Sequence, residues 1–486
     1  MIDQESRIAP TRFPVSPRLL WPALLLIVAL VALTIGWVGY SASDDAAYHA
    51  AALEWLYRAP FPGHDHWATR FPLVLTLAAM IGVIGDGALA MYMTALLWYA
   101  MFLLAIHSLA TRIGGVRAGW LAAMLVGTMP VVITNATTVS CDLTEAIFLV
   151  LGIRLIGDAA IDRDKQWLPI VAGLSFGTAI LCRETTSLAL LGFVPLFLIG
   201  RPVSRRSLIL MGLACAALLA GEALFQFLLT GDPLNRWTLA FHHDSHIDRA
   251  ANLEGNFLVH PAIDPLLVLL VNNDFALLFW LAGAAVAMRF HNSLDAAGRA
   301  RMHILFMLAL SAFLLVGGLY TKLVLNPRYF VLPAIAASIA VAIWLDRMRA
   351  TPRAMILIVA LGANLLMLSA ENAFPRWPAE ALVQAGRDYR GQPIVTNAEI
   401  LHRASLPIGW NGLTGITVGN PQVGALYFSM EAERPANAVV VAHYPSPATP
   451  LGRMITMIGL ARFVPDRIGR RLFAPNPTMA LSRPVG

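Results

Sequence analysis

The sequence predicts a polytopic α-helical membrane protein that ends in a small α/β domain, and three observations predict it. Apolar residues make up 58% of the 486 positions and charged residues only 13%, against roughly 45–50% and about 25% in a soluble domain. The apolar residues fall in runs of the length that crosses hydrocarbon. After residue 370 the runs give way to prolines, polar turns and short β-like stretches. This composition excludes a disordered chain and a soluble enzyme of ordinary make-up. The formal charge of +6 comes almost wholly from arginine, Lys165 and Lys322 being the two lysines, so it is carried by guanidinium groups that do not titrate and does not imply nucleic acid.

A hydrocarbon core of about 30 Å asks for roughly 20 apolar residues per helix. Eleven transmembrane segments are expected, near 19–40, 87–110, 117–133, 143–157, 168–182, 186–200, 207–230, 274–290, 303–321, 329–345 and 354–370. The first ends at Ser41-Ala42-Ser43, a small-residue trio, but it is too long for a signal core and reads as a retained helix. The stretch from Phe71 to Gly85 is shorter and suits an interfacial helix. With the N-terminus inside, the inner loops hold 17 basic residues and the outer loops 7, the bias expected of a correct topology. A spanning 71–85 would invert that bias. The reading is therefore a membrane domain over 1–370, with a first outer loop at 41–86 and a long outer loop at 231–273. Residues 371–486 form an outer α/β domain with β-like runs at Pro393-Ile394-Val395-Thr396 and Ala438-Val439-Val440-Val441-Ala442.

The outer loops hold the candidate chemistry. Asp44 and Asp45 follow the first span, with Tyr48 and His49 just after and Arg70 opening the interfacial helix. Adjacent carboxylates at a membrane face supply a general base and its orienting partner, one of them with its pKa raised by desolvation. The same pair equally fits a helix N-terminus, where Asp is favoured. Asp142 and Glu145 open the fourth span, and Arg183-Glu184 lie between the fifth and sixth. His243 and His246 belong to the long loop, and Lys322, Arg328 and Tyr329 precede the tenth span. Ionisable groups at the edge of hydrocarbon are costly and point to function. One outer cavity lined by carboxylates and guanidinium groups is the simplest common explanation.

The string Ser43-Asp44-Asp45-Ala46-Ala47-Tyr48-His49-Ala50-Ala51-Ala52 resembles the first-loop signature of GT-C-type membrane glycosyltransferases, the group that includes protein O-mannosyltransferases and lipid A aminoarabinose transferases. Asp44 matches the family's catalytic Asp, and Asp45 stands where the family has Glu. Thr69-Arg70-Phe71-Pro72-Leu73 is similar to the family's basic-Pro-Pro-Leu segment, with Arg70 for Lys and Phe71 for the first Pro. Thr111 to Gly119 resembles the inner loop between the second and third spans, Asp142 falls where the family has an outer Asp, and Asn326-Pro327-Arg328-Tyr329-Phe330-Val331-Leu332-Pro333 is similar to its Arg-Tyr-x-x-Pro segment. The likeness covers residues 40 to about 345 in order. It implies transfer of a sugar from a polyprenyl-phosphate carrier to a lipid, glycan or protein acceptor on the outer face, with inversion. Asp44 is then the base, Asp45 or Asp142 orients the acceptor, and Arg70, Lys322 and Arg328 neutralise the departing phosphate. Tyr48, Arg183, His243, His246 and Tyr329 complete the expected substrate contacts. No cofactor is required, and a divalent metal is compatible with this reading.

Other motifs are set aside. Asp162-Arg163-Asp164 fits a metal-holding D-x-D pattern but faces inward by the charge count. His64-Asp65-His66 and the 242–246 histidines are zinc-ligand types on loops the sequence does not bring together. Cys141 and Cys182 lie near outer helix ends and are expected to stay unpaired. The competing function is a transporter or lipid-linked-sugar flippase, disfavoured because the charges sit at helix ends and no inverted repeat is visible. The arginine-rich, lysine-poor chain suggests a bacterial inner membrane.

Overall fold

The computed structural model describes residues 17–242, 259, 263–319, 326–371 and 376–485. A helix stands at each of the eleven predicted segments. Among the described residues, five helices are long and apolar enough to cross a membrane: Ala88–Gly114, Arg205–Thr230, Ala296–Gly318, Pro327–Asp346 and Ala350–Ala370. A bent pair makes a sixth, and five more apolar helices are shorter. The helix Cys141–Ile161 has spanning length but carries Asp142, Glu145, Arg154 and Asp158. The helix over 327–346 is the hub, 83% of its apolar window being buried, whereas Arg205–Thr230, at 17%, presents most of its surface outward.

The bent pair is Val116–Gly127 and Pro130–Thr137, which meet at 73°. Pro130 brings no N–H and forces the residue before it out of the helical region. Met129 accordingly takes φ −61° and ψ 137°, and the Thr128 hydroxyl donates back to Met124 O at 2.9 Å. A different local rule sets the packing of Trp167–Cys182 on Arg205–Thr230. Gly173 and Gly177 are four apart, the spacing that lets two helix backbones approach. A Cβ on Gly173 would sit 2.1 Å from Met211 O, and one on Gly177 3.0 Å from Leu218 Cδ2.

Helix Asp44–Arg58 packs on Phe71–Ile84, the helix expected to be interfacial, which in turn packs on Ala88–Gly114. At the far end of Cys141–Ile161, Arg301 grips Asp158 at 2.9 and 3.1 Å and donates to Arg112 O at 3.0 Å. That end is thus pinned, leaving the end at Asp142 as the other charged layer.

The C-terminal region has its own core, around Trp377, Leu382, Phe428 and Leu481. Its strands are β1 (Ile394–Thr396), β2 (Ile416–Val418), β3 (Leu426–Met430), β4 (Ala438–Tyr444) and β5 (Met479–Pro484), in the order β2-β1-β3-β5-β4. β1 runs parallel to β2 and β3, and β5 runs antiparallel to β3 and β4. The domain touches the membrane region through Trp410, whose indole N–H donates to Asp86 at 3.2 Å. His49 Nε2 lies 2.6 Å from the same carboxylate oxygen.

Candidate active site

Asp44 and Asp45 open the helix Asp44–Arg58, yet they face different surroundings. Asp45 is buried and its carboxylate accepts backbone N–H groups of Ser41, of Ser43 at 2.8 Å and of Ala46 at 3.1 Å. It ties down the turn in which Ala42 adopts φ +51°. Burial holds the Asp45 carboxyl above its ordinary pKa, and the bonds from Ser41 and Ser43 pull the other way. Asp44 instead keeps a third of its side chain exposed and places Oδ2 3.4 Å from Arg328 Nη1. The expectation that desolvation raises one of the two thus falls on Asp45, the one committed to the backbone.

Arg328 is delivered by the turn Pro327–Phe330, with the Asn326 side chain accepting the Arg328 N–H at 3.1 Å. Tyr329 lies between two guanidinium groups, Arg183 at 4.3 Å and Arg328 at 5.8 Å from its ring centre. Arg183 follows the last residue of Trp167–Cys182 and donates to Asp142, with Glu145 Oε2 at 3.7 Å. Asp142 occupies the first turn of its helix, where the Ser140 hydroxyl both caps the helix and donates to Asp142 at 2.7 Å. Thr186 donates to Glu145 at 2.6 Å. These groups line one end of a cleft whose remaining wall is apolar, with Leu149, Ala189, Val316, Leu332 and Ile335. A charged mouth above an apolar wall suits an anionic headgroup on a hydrocarbon chain.

Arg70, buried at the start of Phe71–Ile84, donates to the Tyr48 hydroxyl and to Cys141 Sγ at 3.3 Å. Tyr48 and Arg70 therefore back the site through the residue preceding Asp142. The Nε groups of Arg70 and Arg328 are buried with no acceptor among the described residues. His243, His246 and Lys322 lie outside the described residues, as does the middle of the long loop. The structure so joins Asp44, Asp142, Arg183, Arg328 and Tyr329 into one layer, sets Tyr48 and Arg70 behind it, and turns Asp45 away.

Sequence reasoning missed Arg236, which is fully buried. It donates to Thr69 O, to Ile180 O at 3.2 Å, to Leu181 O at 3.0 Å and to Glu184 Oε1 at 2.6 Å. Those acceptors flank Arg70 and Arg183. One more arginine in a sequence with dozens gives no such signal; only its burial does. The cysteines at 141, 182 and 215 are unpaired. No group of three or more His, Cys, Asp or Glu side chains is placed to hold a metal among the described residues, and Asp44 and Asp142 each face arginine.

Residues 70–228 match the family model described as dolichyl-phosphate-mannose-protein mannosyltransferase. The structure is similar to that of ArnT from Cupriavidus metallidurans bound to undecaprenyl phosphate, at 14% identity and a TM-score of 0.57, covering 87% of this chain and 96% of that one. It is also similar to the Archaeoglobus fulgidus oligosaccharyltransferase AglB in complex with an inhibitory peptide and a dolichol-phosphate, at 12% identity and a TM-score of 0.51, covering 80% and 63%. A structure of the Archaeoglobus fulgidus oligosaccharyltransferase with zinc and sulfate gives 14% identity, a TM-score of 0.52, and coverage of 81% and 62%. The chain spans less than two thirds of the length of those archaeal enzymes. Against curated protein sequences it has no match. The fold is similar to that of ArnT and AglB. The family match over residues 70–228 falls within the helical region.

Proposed function

We propose that the protein transfers a single sugar from a polyprenyl-phosphate carrier to a lipid, glycan or protein acceptor, with inversion at the anomeric carbon. The observation that carries the reading is the half-open Asp44 carboxylate, 3.4 Å from Arg328, which itself lines a cleft with Arg183, Asp142 and an apolar wall. The acceptor O–H proton passes to Asp44 as the acceptor oxygen bonds the anomeric carbon. The bond from that carbon to the phosphate oxygen breaks, and its electron pair leaves with the phosphate. Attack opposite the leaving group inverts the centre. Arg328 and Arg183 offer charge-assisted hydrogen bonds to the phosphate, with Arg70 adding positive potential from behind. Asp142 keeps Arg183 aimed, and Tyr329 spaces the two cations. The bound undecaprenyl and dolichol phosphates of the similar structures support a carrier of this class.

The reaction is placed on the outer face of a bacterial inner membrane, with a cytoplasmic N-terminus and a periplasmic C-terminal domain. The sidedness rests on the 17-to-7 asymmetry of basic residues, and the bacterial membrane on the arginine-rich, lysine-poor composition. The test is a side-by-side assay of purified wild type and Asp44→Asn with labelled polyprenyl-phosphate sugars and labelled nucleotide sugars. Wild type should consume a polyprenyl-phosphate donor alone, and the variant should be slower by roughly 10²–10⁴-fold. A variant keeping a tenth of wild-type transfer at equal expression removes Asp44 as the base.

A further inference from the structure

The segment 450–474 of the C-terminal domain joins an exposed apolar surface to a cluster of arginines. It comprises helix Pro450–Met457, a turn at Ala461–Phe463 and helix Asp466–Phe473. Met457 is 87% exposed and Phe463 67%, with Met454, Ile458, Leu460 and Ile468 exposed beside them. Soluble surfaces rarely gather so many large apolar side chains in so short a stretch. The same segment carries Arg453, Arg462, Arg467, Arg470 and Arg471, all exposed, against the single acid Asp466. The Arg462 guanidinium lies over the Phe463 ring at 4.8 Å, so charge and apolar surface are interleaved.

The fold also fixes which way this segment faces. Trp377 comes six residues after the end of helix Ala350–Glu371, and its indole N–H donates to Tyr444 O at 3.3 Å. Tyr444 pairs with Met479 at one end of the sheet, whereas Ala438 pairs with Pro484 at the other. The Tyr444 end is therefore the end next to the spanning helix, and residues 450–474 lie between Tyr444 and Met479 in the chain. Helix Pro450–Met457 packs directly on Ala350–Glu371, whose Met355, Ile358, Val359 and Leu366 are exposed as a lipid-facing helix requires.

We propose that residues 450–474 are a monotopic anchor that seats the C-terminal domain on the adjoining leaflet, Met457 and Phe463 entering the headgroup boundary and the arginines engaging anionic lipid headgroups. Apolar side chains at the interface and basic groups reaching to phosphates are the two contributions such anchors combine, and long arginine stems allow both from one segment. The anchor does not depend on the identity of the donor or on Asp44.

The test uses the full chain in nanodiscs of phosphatidylcholine with and without phosphatidylglycerol. Single cysteines replace Met457, Phe463 or Ala436 in a Cys215→Ala background, Cys141 and Cys182 being buried, and carry an environment-sensitive fluorophore. Ala436 is exposed next to the far end of β4 and serves as the reference. A lipid-borne nitroxide should quench the Met457→Cys and Phe463→Cys probes severalfold more than the Ala436→Cys probe, and aqueous iodide should show the reverse order. Iodide quenching all three alike overturns the proposal. So does shielding of the first two from both quenchers, which means that protein covers them. The variant R462Q/R467Q/R470Q/R471Q should lose the gain that phosphatidylglycerol gives, with docking weakened roughly fivefold per arginine. An undiminished phosphatidylglycerol effect in that variant overturns the headgroup role. All four side chains are exposed, so the fold does not rest on them.

Discussion

A buried guanidinium group is aimed by the carboxylates around it, and Arg183 faces Asp142, the pair being at 6% and 2% side-chain exposure, with Glu145 at 3.7 Å as a second, weaker partner. Removing one member of such a pair leaves an uncompensated charge, at a cost of about 3–5 kcal/mol. Asp142→Asn should therefore lower thermal stability and transfer together. Asp142→Asn combined with Arg183→Met should regain stability without regaining transfer, as read by melting temperature and turnover. Asp45 makes the opposite case. Its carboxylate is spent on backbone N–H groups, so we expect Asp45→Asn, which turns a donor toward a donor, to cost about 1–3 kcal/mol and to lower the melting temperature. A loss of turnover with an unchanged melting temperature would instead give Asp45 a part in the chemistry. The sequence offered two readings of these adjacent acids, a catalytic pair or a helix N-terminus. The structure parts them, because neighbouring residues at a helix start project in different directions.

Helix identity was legible because apolar runs and their basic flanks are one-dimensional signals. How helices break and approach was less so. Pro130 is visible in the sequence, but the break it makes at 73° within one apolar run depends on the extended Met129 before it. The Gly173-x-x-x-Gly177 notch likewise gains meaning only from Met211 lying across it. Gly173→Val would drive the helices Trp167–Cys182 and Arg205–Thr230 apart, since a Cβ has no room there. A loss of about 1–3 kcal/mol is expected from such overpacking. Gly212→Val, on the outward surface with open space around its Cα, should leave the melting temperature nearly unchanged. Equal effects from the two substitutions would refute close backbone contact as the reason for the glycine.

At the scale of the whole molecule, the C-terminal domain bears on the first loop at Trp410. Trp410 donates to Asp86 and sets its ring edge-on to Tyr40 and His49, with centroids 5.3 and 5.7 Å apart. His49 lies on the helix that Asp44 begins, so the domain steadies the helix carrying the proposed base. Trp410→Ala is expected to quicken hydrogen exchange across residues 44–58 and to slow transfer, while the sheet core around Phe428 keeps its protection. Unchanged exchange over 44–58 would separate the two domains functionally. The presence of this domain was readable from its prolines and β-like runs; its grip on the loop was not, because a tryptophan at residue 410 and an aspartate at residue 86 carry no mark of each other. Arg236 extends the same lesson into heredity. It reads carbonyl oxygens at positions 69, 180 and 181, and every amino acid supplies one. A saturation scan of the gene should then show an intolerant codon at 236 beside codons 180 and 181 that accept apolar exchanges of similar size, so that a strict requirement and its permissive counterparts are recorded at sites far apart in the gene.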